Sequence, residues 1–334
     1  MLDTSGSFYI TTNIHDGVNM FRESIKVLDC SIRDGGLLNK HKFSFELVQK
    51  VYRALAAAGV DYMEAGYKNS DQLFSREEFG PWKFCDDDLL WKMKEGVENG
   101  PKVSVMADIG RADMSKVKPK SESPYDMVRV ACYARDIDKC IAMVNEFHDL
   151  GYETTINIMA ASRDSGPELD EALDQVEKES KTDVLYLVDS FGYFYQENID
   201  KLAKRYKRWV KTKKLGFHGH NNQQLAFSNT IQAIINNVDY LDCTIYGIGR
   251  GAGNCSTELL LGFLKNPKFD IRPVLDIIAS DFIPMQKEQN LEWGYIIPQM
   301  ITGIFNSHPE EAIKFRKGSD RENYRAFWMQ ISGQ

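Results

Sequence analysis

Eight short apolar, β-branched runs recur along this chain, and most are followed by a longer stretch with helical periodicity. They begin at Val27 (VLDCSIRD), Asp61 (DYMEAGY), Lys102 (KVSVMADIG), Asp126 (DMVRVACY), Thr154 (TTINIMAAS), Val184 (VLYLVDSFG), Leu215 (LGFHGHN) and Tyr240 (YLDCTIYGIG). Near-continuous apolar strands alternating with helices imply a parallel sheet whose outer face is covered. Eight such units in roughly 240 residues match a closed (β/α)₈ TIM barrel, a fold of about 250 residues. An open doubly wound sheet is the alternative. Polar residues gather at the C-terminal ends of many runs, as in barrel enzymes, and IRDGGLLN after the first run is not a dinucleotide fingerprint.

The spacing predicts a first long helix from Phe45, with Ser44 as its N-cap and Gly59 as its stop. Between the third and fourth runs, residues 111–125 hold two prolines and many charges, and no helix is legible there. Beyond Ile271 further helical patterns are broken at Pro284, Pro298 and Pro309. The expected division is an N-terminal arm over 1–24, a catalytic barrel over 25–268 and a C-terminal helical extension over 269–334. That extension either covers the barrel mouth or contacts another subunit, and a homo-oligomer is expected.

The net charge of −7 and the lack of a concentrated basic run argue against a nucleic-acid partner. Lys201 to Lys214 is locally basic, but its charges spread around an amphipathic segment and read as a solvated helix face. The six cysteines show no CxxC spacing, and several sit in apolar runs, as reduced packing residues do. The first twenty residues show no apolar leader, and no stretch approaches membrane-spanning length. A cytoplasmic protein without a membrane partner is the expectation.

Three segments carry candidate chemistry. His218-Gly219-His220 ends the seventh run, and side chains two apart on a strand share a face, so both imidazoles can converge on one ion. Two packed histidines at a strand end would read the same way. Arg33-Asp34-Gly35-Gly36 closes the first run, offering a hard carboxylate oxygen and a planar guanidinium fork. A turn with a surface ion pair is the alternative. In a closed barrel the first and eighth strands are neighbours and the seventh is one further round, so Asp34 can meet both histidines. The loop GIGRGAGN, Gly247 to Asn254, has four glycines in eight residues and can cradle an anion, with Asn254 as a neutral oxygen ligand. Ser190, after Asp189, could hold a substrate carboxylate or cap a helix. Glu64, ending the second run, could orient Arg33 or a metal-bound water, or form a buried structural ion pair. Asp, two His, an amide oxygen and water suit a divalent cation such as Mn²⁺ or Mg²⁺, with Co²⁺ or Fe²⁺ as alternatives, and no thiolate set favours structural zinc.

These motifs resemble the metal-dependent lyases and synthases that include 4-hydroxy-2-oxovalerate aldolase, hydroxymethylglutaryl-CoA lyase and isopropylmalate synthase. The resemblance spans roughly residues 25–305 and rests on LDCSIRDGG, GFHGHNNQQLAFSNTIQAI and GIGRGAGN, with VDSFG as a weaker anchor. His41, Phe43 and LEWGYIIPQM are similar to the pyruvate-aldolase branch. The resemblance implies Asp34, His218 and His220 as metal ligands, with Asn254 as a fourth from the CoA-lyase branch. It implies that Arg33 stabilises an enolate, Ser190 touches the pyruvate carboxylate and Tyr295 lies near the second substrate. Two departures stand out. The aldolase branch has a catalytic histidine three residues after the motif aspartate, where this chain has Leu37, and the reactive cysteine of the CoA-lyase branch is missing from GRGAG.

The expected activity is therefore a divalent-metal-dependent aldolase or lyase that makes or breaks a carbon–carbon bond beside a 2-oxo acid. Its partner would be an aldehyde or acyl compound, and Tyr67, Lys68, Tyr133 and His41 are the acid–base candidates. The rival readings are a Claisen-type acyl-CoA:2-oxo acid acyltransferase and a barrel that binds metal and ligand without turnover.

Overall fold

Each apolar run becomes a parallel strand, but several strands stop well short of the end of their run. In the computed structural model, which describes residues 22–163 and 166–334, the strands are β1 Lys26–Asp29, β2 Tyr62–Tyr67, β3 Lys102–Asp108, β4 Met127–Cys132, β5 Glu153–Ile158, β6 Val184–Asp189, β7 Lys214–Gly219 and β8 Tyr240–Cys243. They pair in sequence order, and β1 closes on β8 with Lys26 opposite Tyr240 and Asp29 opposite Cys243. The result is the expected (β/α)₈ TIM barrel. Residues 1–21 of the expected N-terminal arm lie outside the described residues.

The helices of the barrel are α1 Ser31–Gly35, α2 Phe45–Ala57, α3 Asp87–Lys94, α4 Ile137–Asp149, α5 Pro167–Glu179, α6 Gln196–Trp209, α7 Ala226–Ile235 and α8 Thr257–Leu264. The second of these begins as its sequence dictates: the Ser44 hydroxyl accepts from the Leu47 N–H at 3.2 Å, and Val48, Val51, Tyr52 and Leu55 are buried. Between β3 and β4 the structure has only two 3₁₀ turns, Met114–Lys116 and Lys120–Glu122. Aromatic rings pack beside this connection: Tyr125 stacks on Tyr152 at 4.8 Å, with Phe147 edge-on behind. Among the described residues, no helix is long and apolar enough to cross a membrane.

Two local expectations are corrected. Arg33 and Asp34 do not close the first strand but lie in the one-turn helix α1. The Asp29 carboxylate, at the end of β1, accepts from the Ser31 N–H at 3.0 Å and turns the chain into that helix. Of the three prolines of the C-terminal segment, two open helices instead of breaking them, and Pro284 follows a π turn inside a continuous helical run. Pro284 lies in the first turn of α10 (Ile283–Glu288), after α9 (Arg272–Ile277) and a π turn, while Pro298 and Pro309 start α11 (Ile297–Ile304) and α12 (Pro309–Lys317). An N–H that a helix would leave unpaired anyway costs nothing to lose there. The last helix is α13, Tyr324–Ser332.

The barrel interior holds an unusual layer. Such barrels are filled by residues from alternate strands, mostly branched aliphatics. Here the even-numbered strands contribute Glu64, Arg129, Tyr186 and Asp242, all buried. Arg129 donates to Glu64 at 3.2 Å and to Asp242 at 2.6 Å, and its guanidinium lies 4.4 Å from the centre of the Tyr186 ring. A side chain at Gly216 would put its Cβ 2.6 Å from that ring, so glycine in β7 makes the room. Glu64 thus sits inside β2 and not at its end.

Candidate metal centre

Above this layer, the C-terminal strand ends enclose a cavity of about 470 Å³. Arg33, Asp34, Leu37, Tyr67, Ser190, His218 and His220 all line it. Ligating atoms of Asp34, His218 and His220 lie within 4.8 Å of one another. Helix α1 brings Asp34, β7 brings His218, and His220 follows where the chain leaves β7 and bridges to Asn254. The His218 and His220 rings meet edge to face at 5.1 Å, as their spacing predicts.

The fit to a divalent cation can be judged from the donors. His218 Nδ1 lies 2.9 Å from Asp242 Oδ2, which fixes the ring and leaves Nε2 as the ligand atom, the arrangement typical of a metal-bound histidine. His220 Nδ1 and Asp34 Oδ2 are 4.0 Å apart, too far for a hydrogen bond yet within the span of two bonds of about 2.1 Å to one ion. Burial alone would raise the Asp34 carboxyl, but the Arg33 guanidinium, 2.9 Å away, and the two histidines hold it well below the usual carboxylate range. It is therefore an anion ready to ligate. Asn254 donates through Nδ2 to Asp34 and to the Ile248 carbonyl, while its Oδ1 is buried without a partner. Gly249 runs so close above this pair that a Cβ there would lie 2.6 Å from Asp34 Oδ2. Cys30, His218 and Asp242 form a second cluster, but burial pushes the Cys30 thiol far up and Asp242 already pairs with Arg129. The first set fits a hard divalent cation and the second does not.

Other expected site residues divide. Glu64 accepts from Arg33 Nε at 2.7 Å, combining the orienting role with the buried ion pair. The Ser190 hydroxyl accepts from the Ala160 N–H at 2.9 Å and caps no helix, leaving its proton free to face the cavity. Tyr295 is not brought to the site. It is 64% exposed, because its neighbour Trp293 turns inward and donates Nε1 to the Tyr246 carbonyl at 2.9 Å. Lys68 binds the Cys85 carbonyl and Asp87, and His41 is buried against Tyr67, outside the cavity wall. Tyr67 and Tyr133 do line the cavity. Arg129, Asp242, Arg250 and His308 were not anticipated. Signals for the first two were present: a charge within an apolar strand is rarely buried alone, so Arg in MVRVAC and Asp in YLDC call for each other.

Buried groups also set the acid response of the metal-free protein. Burial pushes His220 and His41 down to about 3, with the Lys83 and Arg33 charges adding to the effect on His41. Burial pushes Asp29 up to about 6 and Asp189 up to about 7, against the hydrogen bonds each accepts. In the unfolded chain these histidines protonate near 6.5 and the aspartates near 3.8. Between about pH 4 and 6 the unfolded chain therefore carries two extra imidazole protons and the native state two extra carboxyl protons, and the contributions cancel. Below about pH 4 the unfolded aspartates protonate as well. Asp34 and Asp242, held low in the native state against their burial by Arg33 and Arg129, then stop contributing stability. Stability from urea titrations should be nearly flat from pH 6 to 4.5 and fall steeply below 4. A steady decline starting at pH 6.5 would show that Asp29 and Asp189 are ionised in the native protein.

Comparison with known proteins finds aldolases and a decarboxylase among the chain's relatives and a lyase among the structures that share its fold. A family model described as HMGL-like matches residues 105–278. The chain is 29% identical over 262 residues to 4-hydroxy-2-oxovalerate aldolase of Thermus thermophilus, covering 77% of this chain and 74% of that protein. It is 28% identical over 273 residues to oxaloacetate decarboxylase of Mycobacterium tuberculosis, covering 78% and 77%. The N-terminal domain of a provisionally named aldolase from Bacteroides vulgatus superposes with a TM-score of 0.75 at 28% identity, covering 90% of this chain and 100% of that one. Hydroxymethylglutaryl-CoA lyase of Pseudomonas aeruginosa shares the fold, with a TM-score of 0.62 at 16% identity over 78% of this chain and 94% of that one.

Proposed function

Because the chain belongs to the HMGL-like family of metal-dependent aldolases and lyases acting on 2-oxo acids, we propose that Asp34, His218 and His220, with Asn254 beside them, hold Mn²⁺ or Mg²⁺ and that the substrate is pyruvate or its aldol adduct. The observation that carries this reading is the convergence of those three ligands beside Arg33 in one cavity. A bound divalent cation supplies Lewis-acid polarisation of the 2-oxo group.

The chain's own residues supply the rest. Arg33 gives Nε to Glu64 and Nη1 to Asp34 and lines the cavity, which leaves its remaining nitrogen to meet the negative charge that develops on the 2-oxo oxygen. Ser190, its oxygen engaged by Ala160, donates its proton to the substrate carboxylate. Burial pushes the Tyr67 phenol far up, so it acts as a hydrogen-bond donor and not as a base. In cleavage the 4-hydroxyl gives up its proton to water, the C3–C4 electron pair passes into the pyruvate unit as its enolate, C4 leaves as an aldehyde, and the enolate takes a proton from water at C3 to give pyruvate. Leu37 has no group to take that hydroxyl proton. His308, from the segment over 269–334, reaches the cavity wall.

The test separates the two halves of the reaction. Exchange of pyruvate methyl protons for deuterium needs the ion and Arg33 and should proceed with Mn²⁺ or Mg²⁺ and stop with EDTA. Cleavage of 4-hydroxy-2-oxovalerate should be slow, since general acid–base help is worth about 10²–10⁴-fold. NMR in D₂O reads the exchange and a coupled pyruvate assay reads the cleavage. Absence of metal-dependent exchange would sink the enolate reading, and brisk cleavage would mean that another residue fills the place of Leu37.

A further inference from the structure

The cavity continues past the metal ligands to a region where the loop after β8 meets the C-terminal helices. Arg250 lines it and lies within electrostatic reach of both His220 and His308, with its Nε buried and without a hydrogen-bond partner. Among the described residues Arg250 forms no ion pair, whereas Asp34 pairs with Arg33, Asp108 with Arg111 at 3.1 Å and Asp136 with Lys139 at 2.9 Å, and Lys83, the other unpaired cation of the wall, is capped by the Tyr67, Phe74 and Phe79 rings. His308 directly precedes α12. Its Nδ1 accepts from the Glu310 N–H at 3.2 Å, so the proton sits on Nε2. Its ring packs against Phe191 at 5.6 Å, and the Arg163 guanidinium lies over the same Phe191 ring at 4.6 Å. Arg163 is held in place by two hydrogen bonds to the Asn306 carbonyl, 2.8 and 3.2 Å. An adjoining opening, which shares Tyr133, Ala160, Phe191 and His308 with the cavity, is lined by Arg135, Arg163 and one carboxylate, Glu168.

A guanidinium with buried, unpaired nitrogen pays for its desolvation unless an anion reaches it. Arg250 lines the main cavity, Arg163 lines the adjoining opening, and both lie within electrostatic reach of His308, which belongs to both walls. The cavity, at about 470 Å³, is in the range that takes a drug-sized ligand, larger than a three-carbon 2-oxo acid with a two-carbon aldehyde needs. We propose that the aldehyde partner carries an anionic group, a phosphate or a carboxylate, and that Arg250, Arg163 and His308 receive it. This rests on the aldol reading given above and narrows its second substrate to anionic aldehydes.

Calorimetry on the Mg²⁺-loaded protein with pyruvate present can use three unreactive probes: glycerol 3-phosphate, 4-hydroxybutyrate and glycerol. At least one anionic probe should bind about tenfold or more tighter than glycerol, and Arg250→Gln and Arg163→Gln should each weaken it by about tenfold, as loss of a charged hydrogen bond does. The probe that binds identifies phosphate or carboxylate as the recognised group. In turnover with pyruvate, glyceraldehyde 3-phosphate or succinic semialdehyde should outrun glyceraldehyde, and Arg250→Gln should raise KM for the anionic aldehyde more than it lowers kcat. Anionic probes that bind no tighter than glycerol, or whose binding neither variant changes, overturn the proposal. Pyruvate exchange in the unmodified protein keeps the two readings apart. Exchange without anion binding removes the subsite alone, while Arg250-dependent anion binding without exchange removes the enolate reading alone.

Discussion

Alanine in place of Asp34 or of His220 is expected to abolish stoichiometric Mn²⁺ binding in calorimetry and, with it, metal-dependent deuterium exchange into pyruvate. Each substitution removes one of three strong donors, and the remaining two cannot hold a labile hard cation against water. The fold should survive both changes. Asp34 lies at the cavity, and its removal frees Arg33 to keep its bond with Glu64. His220 is buried and neutral, so its truncation leaves no charge stranded. Retention of native circular dichroism with loss of binding supports the assignment. Undiminished Mn²⁺ affinity in both variants would show that the ion sits elsewhere.

Replacing Arg129 with methionine should destabilise the protein by about 3–5 kcal/mol at pH 7, since removing one partner of a buried ionic cluster leaves its carboxylates uncompensated. Glu64 would keep Arg33, but Asp242 would keep only His218, and one oxygen of each carboxylate is already without a partner. The pH dependence distinguishes this cause from a packing defect. Asp242 in the variant has a raised folded pKa, so its penalty grows as the pH rises through that value and shrinks in acid. Urea titrations should therefore show the gap between variant and parent narrowing from pH 7 to pH 5. A gap independent of pH would assign the loss to the cavity left by the side chain.

The features legible in the sequence are those whose spacing maps directly onto backbone geometry. The eight apolar runs state their own pairing, because parallel neighbours in a closed barrel follow chain order. His218 and His220 share a face because a strand repeats every two residues, and Asp34 meets them because β1 lies next to β8. What stayed hidden depended on side-chain direction or on distance along the chain. Tyr295 stands in a segment like the one the aldolase branch uses, yet the inward anchor there is Trp293, and no periodicity in a loop tells which neighbour turns in. Nothing local in RDGG shows that Asp29 turns the strand end into a helix two residues later. His308 is remote in sequence from every other cavity residue, and only the packing of α11 and α12 over the barrel brings it to Phe191. Arg250 is masked by its setting, because a glycine-rich loop such as GIGRGAGN reads as backbone and not as a place for a side chain to act.

The ionic layer under the site has a consequence for how the ion arrives. Arg129 ties β4 to β2 and β8 through Glu64 and Asp242, Asp242 in turn holds His218, and Glu64 holds the arginine that flanks Asp34. Two of the three donors are thereby aimed by contacts made entirely within the protein, before any cation is present. Small zinc domains are organised by their metal and come apart in a chelator. This barrel is instead a finished receptor. On the proposed assignment its cation would come and go as a ligand does, and a change in the cell's supply of divalent cations would change which ion it carries without changing whether it is folded.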